Sequence, residues 1–214
     1  MRVLNMPIKN VIVVICLSLV TFCLVMIWAQ QPVPAVPTPA QAKGLKSERF
    51  EGILSDRKRG PATQQPSFFI LKVNSWSSDE EILALARELK VGGQKALLQH
   101  LATLKPNGTL AYRATEGSDM VVTRSVTFPS GERLVQALSD RAINLKWTNQ
   151  PHPDLSSLNC PFVLVNIRFN AKGKGQGTML ATSQISIGAD GIIEATAKGI
   201  EPLEFLDVTA KPLH

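Results

Sequence analysis

The chain has 214 residues, a net charge of +6, three cysteines and three histidines. A chain of this length is expected to form one folded domain with its own hydrophobic core, without the disulfide or metal staples that small domains need. Apart from Arg57-Lys58-Arg59, with Lys43, Lys46 and Arg49 upstream, the Lys and Arg residues are scattered through the sequence. A nucleic-acid-binding protein concentrates them on one stripe or helix, so we expect no nucleic-acid partner.

Residues 1–30 are predicted to be a signal peptide or an N-terminal membrane anchor. Arg2 and Lys9 precede an uncharged apolar run, residues 11–28, which is typical of an export segment. The length of this run lies between that of a cleaved signal and that of a membrane-spanning helix. Either way, we expect a domain outside the cytoplasm, periplasmic or secreted, or anchored to the inner membrane. Membrane contact is then expected only through residues 11–28 of a retained leader.

Residues 31–47 are predicted to be a proline-rich linker. Prolines at positions 32, 34, 37 and 39 remove backbone donors and fix φ, which favours an extended, unpacked spacer. The folded domain is therefore predicted to occupy residues 48–212. Its first elements are a short strand at 49–54 and a dense apolar strand at 67–74.

A helix pair is predicted for residues 78–105. Ser78 and Glu81 have the capping-box spacing, and apolar residues then recur with helical periodicity. Gly92-Gly93 interrupts the pattern, so we expect a hinge or turn at residues 91–93. Pro106-Asn107-Gly108 ends the second helical segment with turn-forming residues.

The remaining residues indicate strands separated by turns. Strands are predicted at 109–114 and 119–128, where Arg124 falls on the apolar face and is expected to lie at an edge or to meet a carboxylate. Residues 132–138 fit a strand or a helical turn. Residues 162–169 and 178–187 indicate a hairpin, followed by strands at 192–197 and 203–209. The fold class is thus α+β: a mostly antiparallel β sandwich or barrel of about eight strands with one inserted helix pair.

The glycine-rich segment 173–177 offers a phosphate-cradle motif, but strand-like residues follow it. A phosphate cradle needs a helix at that point, so the segment is better explained as a hairpin tip. Neither HExxH nor CxxC occurs, and we predict no metal, cofactor or catalytic residue. Cys160 is expected to be a small buried hydrophobe.

Two tryptophans are the candidate ligand-binding residues. Trp76 and Trp147 each follow a strand-like run, where the ring either packs over the end of the core or lines the mouth of a pocket.

The segment from about residue 67 to residue 208 resembles a group of small exported bacterial proteins of uncharacterised function. The pieces that carry the resemblance are WSSDEE at 76–81, GGQKALLQHL at 92–101, DRAI at 140–143 and the Gly-Lys-Gly hairpin tip within 162–177. Ala142 stands where that group usually has proline. The resemblance implies a shared fold and export, and it brings no activity or cofactor.

These observations favour a non-enzymatic binding or structural module outside the cytoplasm. One alternative is a lipocalin-like barrel that binds a small lipophilic ligand in an internal apolar pocket. The other is a hydrolase whose site is assembled from distant residues, for example Cys160 with His152.

Overall fold

The computed structural model describes residues 40–41, 45–55, 67–112, 117–141, 160–196 and 201–213. All of these belong to one compact unit, Pro39–His214. The predicted leader, Trp147 and His152 lie outside the described residues.

The described residues contain twelve strands and one helix. The helix, α1, spans Asp79–Leu101. In chain order the strands are β1 (Ala40–Gln41), β2 (Glu48–Ser55), β3 (Ser67–Val73), β4 (Gly108–Tyr112), β5 (Ser118–Met120), β6 (Val122–Thr127), β7 (Arg133–Ser139), β8 (Phe162–Phe169), β9 (Gly175–Thr182), β10 (Gln184–Ile187), β11 (Ile193–Thr196) and β12 (Leu203–Pro212).

Nine of these strands form a nearly closed antiparallel barrel in the order β6-β7-β8-β9-β12-β2-β3-β4-β5. β5 and β6 lie at opposite ends of this order, yet only Val121 separates them in the chain. The wall therefore returns on itself through one bent segment, where β5 pairs with β4 and β6 pairs with β7. Outside the nine strands, β1 pairs with the other edge of β6, and it falls within the predicted linker.

The inward-facing side chains of the barrel form the first of two hydrophobic cores, which we call the inner core. Phe69 and Phe205 stack with their ring centroids 3.9 Å apart, and Phe50 lies 5.8 Å from Phe169. A barrel of this size has an interior just wide enough for side chains to fill. The inner core comprises Phe50, Leu54, Phe69, Leu71, Val73, Leu110, Met120, Val135, Ala137, Cys160, Val163, Val165, Ile167, Phe169, Met179, Ala181, Phe205 and Val208.

Helix α1 begins with the predicted capping box. Ser78 Oγ accepts from the N–H of Glu81 at 3.2 Å, and the N–H of Ser78 donates to Glu81 Oε2 at 2.6 Å. The helix is interrupted at Gly93, whose φ of 67° is accessible to glycine at little cost. The predicted hinge is therefore present, as a kink at Gly93 within α1.

Strand β9 does not continue into β10 within the barrel. The chain leaves the barrel wall at Ser183, and β10 pairs only with β11, as a separate hairpin. This hairpin and α1 together cover one outer face of the barrel, and we call them the roof.

The outer core lies between the roof and the barrel wall. Helix α1, the hairpin and the outward-facing residues of β6, β7 and β8 all contribute to it. It comprises Ile82, Leu85, Leu97, Leu101, Val121, Val122, Leu138, Phe162, Leu164, Ile185 and Ile193.

The predicted class, α+β with mostly antiparallel strands, is confirmed. Of the predicted sandwich or barrel of about eight strands, the structure has a nearly closed barrel of nine strands. The strand predicted at residues 178–187 is two strands, because the chain turns out of the barrel at Ser183. Residues 133–139 form a strand rather than a helical turn, since they pair with β6 and β8 on both edges. Among the described residues, no helix is long and apolar enough to cross a membrane.

Candidate functional site

The segment 75–77, which contains Trp76, closes the barrel beside β6. Ser77 donates its backbone N–H to Thr123 O at 2.7 Å, and Thr123 Oγ1 donates to Ser75 O at 2.5 Å. These bonds satisfy part of the edge of β6 that does not pair with β7. The segment therefore replaces a strand at this seam.

Trp76 itself is half-buried over the inner core. Its Nε1–H donates to Lys46 O at 3.1 Å, and its ring meets Phe50 edge-on at a centroid distance of 6.4 Å. The guanidinium of Arg133 lies 5.5 Å from the Trp76 ring and forms a two-pronged ion pair with Glu48. The structure thus places Trp76 at the end of the core. Trp147, the other tryptophan predicted to bind ligand, lies outside the described residues.

Arg124 meets a carboxylate, as predicted from its position on the apolar face. Its side chain is only 3% exposed, and Nη1 donates to Asp79 Oδ1 at 2.9 Å. Nη2 donates to the carbonyl oxygen of Asp190, in the turn of the hairpin, at 3.1 Å. Arg124 therefore ties the barrel wall to both parts of the roof.

Two glutamines hold opposite edges of the β10–β11 hairpin. Gln94 follows the break at Gly93, and its amide donates to Ile185 O at 2.7 Å and accepts from Ile185 N–H at 3.0 Å. On the other edge, Gln136 of β7 donates to Ile193 O at 2.7 Å and accepts from Ile193 N–H at 3.0 Å. Each side-chain amide takes the place that a neighbouring strand's peptide group would occupy.

These contacts explain two of the motifs that stand out in the sequence. The WSSDEE piece supplies the seam, the capping box and the partner of Arg124. In the GGQ piece, residues 92–94, Gly93 breaks α1, and Gln94 after the break bonds to the hairpin. Both motifs therefore stabilise the fold, and the candidate site described next lies on another part of the barrel surface.

A groove of about 850 Å³ runs across the outer face of β7, β8, β9 and β12, beside β11. Its floor contains a row of directly paired, outward-facing residues, Gln136, Asn166, Thr178 and Glu204. The second row of the floor is Leu134, Arg168 and Gln176. One wall of the groove is the edge of β11.

The floor of the groove is rich in hydrogen-bonding groups, and two of them, Gln136 and Asn166, bond to each other. Gln136 Nε2 donates to Asn166 Oδ1 at 2.7 Å while it also holds Ile193, so the Gln136 amide cannot rotate freely. Arg168 is 61% exposed, lies 5.6 Å from the Phe128 ring and approaches Glu132 at 3.8 Å. Glu194 and Glu204 supply negative charge along the β11 and β12 sides. The groove therefore offers both signs of charge around a polar floor.

The glycine-rich segment forms the tip of the β8–β9 hairpin, as predicted. Gly173 has a φ of 76°, and its N–H donates to Asn170 O at 2.9 Å. Asn170 Oδ1 also accepts from the N–H groups of Lys172 and Lys174 at 3.0 and 3.1 Å. These backbone donors are satisfied within the turn, which explains the motif without a phosphate.

Cys160 is buried in the inner core, as predicted. Desolvation raises the pKa of its thiol above the usual value, so the nucleophilic thiolate is disfavoured at neutral pH. His152, its proposed catalytic partner, lies outside the described residues. Within the described ranges, no group of three His, Cys, Asp or Glu side chains could hold a metal ion.

Sequence reasoning missed the two glutamines and the groove. Gln136 interrupts the apolar pattern of RLVQALS, and that interruption is the one local signal of a buried polar contact in β7. Comparison with known protein families, with curated proteins and with solved structures gave no match to this chain.

Proposed function

We propose that this protein is a non-enzymatic binding module outside the cytoplasm, and that its ligand lies in the groove beside β11. The observation that carries the proposal is the groove itself, whose polar floor includes the hydrogen-bonded side chains of Gln136 and Asn166. Its volume of about 850 Å³ is within the range typical of ligand sites, roughly 300–1,000 Å³. A preformed polar surface binds with little cost in side-chain ordering.

The location outside the cytoplasm is supported by the sequence alone. Arg2 and Lys9 precede the apolar run at residues 11–28. A positive flank of this kind stays on the cytoplasmic side, and the chain beyond the run is exported.

A lipophilic ligand inside the barrel remains the alternative that the fold is compatible with. The packing of the inner core supports the outer groove over this alternative. The stacked Phe69 and Phe205 rings are buried in the barrel interior, and so is Phe50, which contacts both Phe169 and Trp76. A ligand inside would have to displace these aromatic side chains.

Native mass spectrometry of the full chain, purified from its own host, tests the proposal. A retained ligand appears as added mass. Thr178→Trp places an indole on the groove floor and is expected to remove that mass. Thr109→Trp is the matched control, because it adds the same bulk to the outer face of β4, away from the groove.

Three outcomes are informative. Added mass that is absent in Thr178→Trp and present in Thr109→Trp supports the proposal. A lipophilic adduct present in both variants supports the internal pocket instead. If wild-type protein carries no adduct and binds neither peptides nor glycans in solution, the groove is not a binding site.

A further inference from the structure

The outer edge of β11 presents backbone groups to the groove. In an antiparallel pair, residues alternate between those whose N–H and C=O face the partner strand and those whose groups face away from it. The bond from Gly188 N–H to Ile192 O, at 2.9 Å, places that pair in the first class. The register then places the pairs Ile187–Ile193 and Ile185–Ala195 in the second class.

Gln136 provides an independent check of this alternation. The N–H and C=O of Ile193 both point out of the hairpin, because both bond to the Gln136 side chain. Ala195 lies two residues further along the same strand, so its N–H and C=O leave the same edge. Ala195 also lines the groove. The edge therefore offers the N–H and the C=O of Ala195 beyond the position that Gln136 already covers.

The barrel wall continues beneath this edge as a floor. Strands within one sheet lie about 4.8 Å apart, and stacked sheets lie about 10 Å apart. A third strand beside β11 would therefore extend the two-stranded hairpin sheet over Asn166, Thr178 and Gln176. Its inward side chains would meet amides, a hydroxyl and the two signs of charge at Arg168 and Glu204.

The chemistry of the groove favours a peptide over a sugar chain. Carbohydrate sites commonly stack sugar rings on exposed aromatic side chains. The described lining of the groove includes one aromatic residue, Phe205, and its ring is buried in the inner core against Phe69. An edge that offers N–H and C=O groups is instead complementary to the main chain of another extended segment.

We infer that the groove binds an extended peptide segment of a partner protein, which adds as a strand to the outer edge of β11 at Ala195. This inference rests on the proposed function and names the class of its ligand. The mixed charge of the floor, with Arg168 on β8 and Glu204 on β12, fits a segment that carries both acidic and basic side chains.

The test is selection of a phage-displayed library of random dodecamer peptides on the full chain in detergent, with binding of the enriched peptides then measured in solution. Ala195→Pro removes an N–H that points away from β10, so the bonds within the hairpin are retained. Ile187→Pro makes the same change on the opposite edge, away from the groove. Thr178→Trp blocks the floor without altering the backbone of β11.

The inference predicts that enriched peptides bind wild type and Ile187→Pro equally, within about twofold. Ala195→Pro and Thr178→Trp should each weaken binding roughly tenfold or more, because main-chain hydrogen bonds or access to the floor are lost. N-methylation of every second amide of the peptide should abolish binding when the methylated amides are those that face β11. Methylation of the other amides should leave binding unchanged.

Other outcomes overturn the inference. These are a library that yields no binder, or peptides that bind Ala195→Pro and Thr178→Trp as tightly as wild type. If a glycan microarray gives ligands that Thr178→Trp loses while no peptide is enriched, the peptide class is wrong and the proposed function stands. The Thr178→Trp arm also remains decisive if Ala195→Pro does not fold.

Discussion

The inner core and the outer core are held together in different ways. The inner core is enclosed by a wall whose strands hydrogen-bond to one another almost all the way round. Side-chain bonds contribute to this boundary at the seam, where Thr123 Oγ1 donates to Ser75 O. The outer core lies between that wall and a roof that the side chains of Arg124 and Gln136 attach to it. Gln94 joins the two parts of the roof, α1 and the hairpin, to each other. The barrel and its roof are therefore expected to differ in the free energy of local unfolding. The groove lies on the boundary between the two.

The largest expected effect is in the inner core. Phe69→Ala removes a fully buried ring that stacks on Phe205, and it should lower the free energy of unfolding by about 3–5 kcal/mol. Chemical denaturation followed by circular dichroism measures this loss. Hydrogen exchange should accelerate throughout the barrel strands. A loss below about 1 kcal/mol would mean that Phe69 is not part of a tightly packed interior.

Leu97→Ala tests the outer core with a comparable deletion. The residue belongs to α1 and is fully buried on the face of the helix that contributes to the outer core, so about 2–5 kcal/mol should be lost. This substitution should lower the free energy of local unfolding of the roof, so hydrogen exchange should be faster in α1 and in the β10–β11 hairpin. Amides in β2 and β3 should retain their protection. Equal acceleration in both regions would contradict the distinction between the two cores.

Asp79→Asn tests the contact between Arg124 and the roof. The guanidinium is almost fully buried and would lose its charged partner, while Asp79 itself is 53% exposed. The amide oxygen that replaces the carboxylate can still accept a hydrogen bond, so the expected loss of about 1–3 kcal/mol comes from the missing negative charge beside the buried guanidinium. In an Arg124→Met background the same substitution should cost little, and this double-mutant cycle isolates the pair.

Gln136→Ala and Gln94→Ala compare the two edges of the hairpin. Each leaves one backbone N–H and one C=O of the hairpin without its partner, and each should lower the free energy of roof opening by about 1–3 kcal/mol. Gln136→Ala should cost more, because Gln136 is buried whereas Gln94 is only partly so. Hydrogen exchange at Ile193 and Ile185 measures the two effects separately. An amide of Ile193 that exchanges unchanged in Gln136→Ala would disprove the bond.

The smallest effect concerns Glu51, on the wall that the roof leaves uncovered. The hydrogen bond from Lys211 and the charges of Arg49 and Lys211 hold the pKa of Glu51 below its usual value of 4.5. Because the carboxyl is more acidic in the folded protein, its contribution to stability is present above pH 4.5 and is lost as the pH falls through the lowered value. Lys211→Met should raise the Glu51 pKa, measured by NMR titration of its carboxyl carbon. An unchanged pKa would show that the contact does not persist in solution.

Features that depend on local sequence were predicted well. The capping box at Ser78 and Glu81, the break at Gly93 and the hairpin tip at Gly173 each follow from the conformational preferences of a few adjacent residues. Arg124 was also predicted to meet a carboxylate, because a charge on an apolar face has to be neutralised. The identity of that carboxylate, Asp79, was not predictable, because it depends on where α1 packs against the barrel.

Features that depend on long-range pairing were not predictable. Residues 178–187 have a continuous strand-like pattern, and nothing within them marks Ser183 as the point where the chain leaves the barrel. The groove exists because that hairpin lies over β7 and β8, which are distant in sequence. The residues of its floor row lie on four strands, and they are neighbours because of the register in which those strands pair. That register could not be derived from one sequence.

The most direct test of the central claim is a ¹⁵N–¹H NMR spectrum of the labelled full chain, recorded with and without a peptide enriched in the selection. The account predicts that the amide of Ala195 shifts and becomes protected from exchange, with smaller shifts at Gln136 and Thr178. The amide of Ile187, on the opposite edge, should be unchanged. Shifts confined to residues outside the groove, with Ala195 unaffected, would contradict the account.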